Sequence, residues 1–75
     1  PELLRQIGMI CELVDQLPNS TVLLFETEWW SRVFWIILPK YHRKHRIGVY
    51  RDKKDIRDIA RRKKYVLFYN AEDTP

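Results

Sequence analysis

The chain has 75 residues, 45% hydrophobic and 32% charged, with a formal net charge of +4. That length suits one small α+β domain over residues 1–75 and excludes two separately cored units. A chain this short relies on large side chains for its core, and three Trp, four Tyr and three Phe provide them.

The charge is not spread evenly. Residues 1–39 carry two basic and five acidic side chains, a net of −3. Residues 40–64 carry twelve basic and three acidic, a net of +9, and residues 65–75 add two acids. Such asymmetry points to an anionic partner and says nothing about the fold.

In chain order, the spacing of Leu3, Ile7, Ile10, Val14 and Leu17 predicts a helix over 1–18, ended by Pro18 and the turn residues Asn19 and Ser20. Gly8 inside it implies a close approach by another element. Cys11 lies beside the apolar stripe as a buried, inert thiol. A single cysteine excludes an intrachain disulfide and implies a reducing, intracellular compartment, either cytoplasm or nucleus or nucleoid. The first residues show no basic-then-apolar signature of a secretory signal.

Residues 21–38 are rich in Val, Ile, Thr, Phe and Trp, which favour strands. A helix there would be apolar in nearly every direction and would need burial all round, which a domain of this size cannot give. The reading is a hairpin over 21–38, with strands at 21–27 and 31–38 and Pro39 ending the second. The longest unbroken apolar run, 33–38, falls far short of the about 20 residues of a membrane span. No membrane partner is expected.

Residues 40–46 read as a basic loop, 46–51 as a short third strand, and 53–64 as a second helix capped by Asp52 with Asp55 in its first turn. Asp58 and Arg62 are spaced to pair on it. Residues 65–69 form a fourth strand, and 70–75 a polar tail. The order α-β-β-β-α-β predicts a two-layer α+β domain, with helices on one face of a mainly antiparallel sheet.

Two groups carry the functional reading. At 100° per residue, Lys53, Arg57, Arg61 and Lys64 make one cationic stripe beside the apolar Ile56, Ile59 and Ala60. Lys40, Tyr41, His42, Arg43, Lys44, His45 and Arg46 combine phosphate-binding cations with rings that stack on bases. Together they point to a non-enzymatic domain binding RNA or DNA. The bland alternative for both groups is a solvated surface without a target. The rival reading is a protein-interaction or homodimer module, with Trp29, Trp30, Phe34 and Trp35 at the interface and an acidic protein as one candidate partner.

His42 and His45 could serve acid–base RNA cleavage, a minor alternative. No nucleophile–base pair, phosphate-binding glycine loop or paired carboxylate cluster accompanies them. Their spacing lacks further ligands for a metal, and neither a cofactor nor a small-molecule substrate is expected. In element order the chain is similar to double-stranded RNA-binding domains, with Lys53-Lys54 matching the Lys-Lys run that opens the family's second helix. The basic loop follows the second strand rather than the first, so no residue role is carried over.

Overall fold

The computed structural model describes residues 1–69. The expected tail at 70–75 lies outside the described residues. Helix α1 spans Glu2–Asp15 and strand β1 Val22–Phe25. Helix α2, Glu28–Arg32, runs into a π-helical turn, Val33–Ile37, and then into α3, Pro39–Lys44. Strand β2 is Ile47–Val49, helix α4 Lys53–Ala60 and strand β3 Tyr65–Phe68.

The sheet corrects the expected fold. Its three strands lie in the order β2-β1-β3, and every pairing is parallel. Leu24 sits opposite Gly48 on one side and Leu67 on the other. The connections β1→β2 and β2→β3 cross the sheet in opposite directions. Crossovers of one hand then place their helices on opposite faces. Leu23 and Phe25 pack with Val14 of α1, Trp30, Val33 and Phe34 of the α2–π segment, and Tyr41 of α3. Val22 and Leu24 point the other way, toward Ile56 and Ile59 of α4. Helices therefore cover both faces rather than one. All four residues of β1 are essentially inaccessible, as expected for the central strand of a parallel sheet.

The expected hairpin does not form. Only its first strand exists, and residues 28–37 are helical. Thr27 caps α2 by accepting from the Trp30 amide at 3.4 Å, and Glu28 pairs with Arg32 one turn on. The Leu38 amide donates to the Val33 carbonyl, the five-residue bond of a π turn. Pro39 opens α3 rather than ending a strand, since its missing amide costs nothing at a first helical position. A helix here does not need burial all round. Instead, one side buries Trp30, Val33 and Phe34, while Trp29, Trp35, Ile36 and Ile37 stay largely exposed.

The element order with one strand before this helical segment removes the likeness to double-stranded RNA-binding domains. Gly8 has no neighbour within 4 Å, so it marks no close approach. Gly48 does: a Cβ there would stand 3.2 Å from Ile59 Cγ2, so glycine lets α4 close onto the sheet. No helix among the described residues is long and apolar enough to cross a membrane.

Candidate nucleic-acid interface

Helix α4 is locally well specified. The Asp52 side chain accepts from the Asp55 amide at 2.9 Å, and the Asp55 carboxylate accepts from the Arg51 amide at 2.9 Å. The helix ends four residues earlier than expected. Arg61 and Arg62 both take left-handed backbone conformations, with φ of 47° and 70°. The Arg61 amide still donates to the Arg57 carbonyl, and the Lys63 amide to the Ala60 carbonyl. Non-glycine residues in this region cost roughly 1–2 kcal/mol each. The turn folds the cationic run back toward the helix that precedes it.

The result is an open groove of about 600 Å³ beside α4. Lys53, Arg57, Arg61, Arg62 and Lys63 line it, over an apolar floor of Ile56, Ala60 and Tyr65. The acids of α4 are engaged elsewhere. Asp58 holds Lys54 at 3.1 Å, which raises the ammonium's pKa, and Asp55 holds Arg51 at 3.6 Å. None of the five groove cations has an ion-pair partner among the described residues; Arg61 donates its Nε to the Asp58 carbonyl. The expected Asp58–Arg62 pair is thus replaced by Lys54–Asp58.

Of the expected stripe, Lys53, Arg57 and Arg61 reach the groove. Lys64 leaves it: its carbonyl accepts from the Val22 amide at 2.8 Å, at the start of β1. Arg62 and Lys63 fall outside the expected set. Their signal is the unbroken run Arg61-Arg62-Lys63-Lys64, with no glycine to close the helix.

The 40–46 segment is mostly helix α3, not a loop, and the structure divides its side chains. Lys40, Arg43, Lys44 and Arg46 are exposed. Tyr41 is buried and its hydroxyl donates to Asp15 Oδ1 at 3.0 Å. His45 is buried with Nδ1 2.9 Å from the Thr21 carbonyl oxygen. His42 is half-buried and stacks on Trp35, ring centroids 4.2 Å apart. Neither Tyr41 nor His45 is presented to a ligand.

The two basic segments lie on opposite faces of the sheet and flank β1 on opposite sides, at the end of the sheet where its strands begin. The Lys44 carbonyl accepts from the Ser20 amide and the Arg46 carbonyl from the Leu23 amide, both at 2.8 Å. Lys64 bonds the intervening Val22. These main-chain bonds bring the backbones of Lys44, Arg46 and Lys64 together around the start of β1.

The aromatic candidates separate as well. Trp30 and Phe34 belong to the core. Trp29 and Trp35 are half-exposed, joined by Ile36 and Ile37 at 74% and 67% exposure. Among the described residues, no group of three His, Cys, Asp or Glu is placed to hold a metal. No protein-family model matches the chain, and no curated protein or solved structure shows significant similarity to it.

Proposed function

We propose that this domain binds nucleic acid through its phosphate backbone, without catalysis. The observation that carries the reading is the α4 groove, where five exposed cations stand together with no carboxylate paired to them among the described residues. Holding like charges side by side is costly unless an anion is brought in. Phosphates spaced along a polynucleotide are such an anion, and each contact releases a condensed counterion. Lys44, Arg46 and Lys64 extend the same surface beyond the groove. The compartment we assign is intracellular and reducing, resting on the lone Cys11.

The test is fluorescence anisotropy with a mixed-sequence oligonucleotide over a salt series. Five phosphate contacts give a log–log slope of about −3.5 to −4.5. A flat response, or no binding at low salt, removes the reading.

A second reading rests on a different surface. Trp29, Ile36 and Ile37, grouped with Arg32 and Val33, form an exposed apolar ridge on the α2–π segment, while the exposed Trp35 stacks on His42. Ridges of this composition favour a protein partner or a second copy of the chain. The two readings are compatible, since ridge and groove lie on opposite faces of the sheet.

A further inference from the structure

Resting on the phosphate-binding reading, we infer that the α4 groove takes single-stranded polynucleotide, with Tyr65 as the stacking platform for one base. The groove is not a flat cationic surface. Its volume of about 600 Å³ lies within the roughly 300–1,000 Å³ of sites that enclose a small molecule. Ile56 and Ala60 of α4, both withdrawn from solvent, make its floor; Tyr65 is exposed beside them, and the five cations that line it are exposed as well. Tyr65 opens edge strand β3 and is 47% exposed, so one side of the strand is left open at the groove.

That division of chemistry matches a nucleotide, with its polar anion outside and its flat apolar ring inside. A duplex cannot use it. Paired bases stack on one another, and the surface a duplex offers is sugar and phosphate. A single strand can turn a base onto the floor while its phosphates remain on the rim, as aromatic-and-cation grooves for single strands do. Arg57 and Arg61, one turn apart, suit successive phosphates on either side of the inserted base.

The experiment compares a short mixed-sequence RNA, and DNA of the same sequence, each as a single strand and annealed to its complement. The probes are fluorescein-labelled and titrated with the whole chain. The expected result is that the single strand of at least one sugar type binds about tenfold tighter than its duplex. Tyr65→Leu should remove most of that preference without altering the salt slope, because no charge is lost. Tyr65→Phe should retain it, because the ring is kept. Near-ultraviolet circular dichroism of both variants confirms that the fold survives.

Equal binding of single strand and duplex overturns the inference, as does a preference that persists in a folded Tyr65→Leu. In both cases a steep salt dependence leaves phosphate binding standing. Absence of binding to any probe at low salt removes both.

Discussion

The Tyr41 hydroxyl donates a hydrogen bond to Asp15 Oδ1 at 3.0 Å, joining α3 to the last residue of α1 across 26 positions of sequence. Burial, followed by the neighbouring Cys11 and Asp15, raises the phenol's pKa well above the ordinary tyrosine value of 10.0. A raised acid pKa means the folded state favours the neutral phenol. The stabilisation is complete below the unfolded pKa and is lost as pH rises above about 10. Tyr41→Phe should cost about 0.5–1.5 kcal/mol at neutral pH, through the bond lost between the buried phenol and the exposed Asp15 carboxylate. It should also flatten part of the decline above pH 10. Tyr50, raised by burial and by nearby Glu26, contributes to the same decline, as does Lys54, raised by Asp58. Urea midpoints from pH 7 to 11 check both; an unchanged alkaline limb would show that Tyr41 carries no linkage.

The groove cations and the paired cation Lys54 should respond differently to loss of charge. Arg57→Gln removes a cation that lines the groove and has no acidic partner among the described residues. It should lower the salt slope by about 0.7–0.9. Lys54→Gln removes a cation already held by Asp58 at 3.1 Å and absent from the groove. Its effect on binding should be smaller, and its effect on stability slight, as for exposed helix pairs. Anisotropy titrations of the two variants side by side make the comparison. Equal losses would mean that net charge, not the groove, governs binding.

Arg62 combines a place in the groove lining with a strained backbone. Its φ of 70° is a conformation that glycine adopts freely. Relief of the left-handed backbone, worth roughly 1–2 kcal/mol, is offset by the roughly 0.5–1 kcal/mol of extra chain entropy that glycine loses on folding. Arg62→Gly should therefore stabilise the domain by about 0.5 kcal/mol while weakening nucleic-acid binding. Arg62→Ala should weaken binding without the gain. Thermal unfolding and anisotropy on the same preparations would show stability and affinity moving in opposite directions; a destabilised glycine variant would contradict this account.

These residues also show what was legible from sequence. The Asp52 cap and most of the α1 stripe needed only local chemistry: Ile7, Ile10 and Val14 face the core, although Leu3 is exposed and the helix ends at Asp15, before Leu17; Lys53, Arg57 and Arg61 also lie together. The sheet was misread because strand direction depends on where distant helices pack. Yet Val22-Leu23-Leu24-Phe25 held a clue: four successive apolar residues, without alternation, suit a parallel strand buried on both faces. The helix over 28–37 carried its own signals in the Thr27 cap, the Glu28–Arg32 spacing and Pro39 at the next helix start. Strand-favouring composition outweighed them, although strand propensity is the more context-dependent measure. The left-handed turn at Arg61 and Arg62 had no glycine or asparagine to announce it. The expected extension of the stripe to Lys64 failed there.

The same helical segment separates core from surface within four residues. Phe34 is fully buried, with ring centroids 5.2 Å from Phe25 and 5.4 Å from Tyr41. Phe34→Ala should cost about 3–5 kcal/mol, enough to unfold a domain of this size. Ile36 and Ile37 face outward, and Ile36→Ser with Ile37→Ser should leave stability within about 0.5 kcal/mol per site. If the ridge is an interface between copies, sedimentation of the native chain will shift with concentration, and the double variant will sediment as a monomer at every concentration. If the native chain is monomeric throughout, self-association is excluded and only a different protein could occupy the ridge. The groove cations lie on the other face of the sheet, so the double variant should bind oligonucleotide with the native salt slope. Loss of that binding would instead tie the two faces into one site.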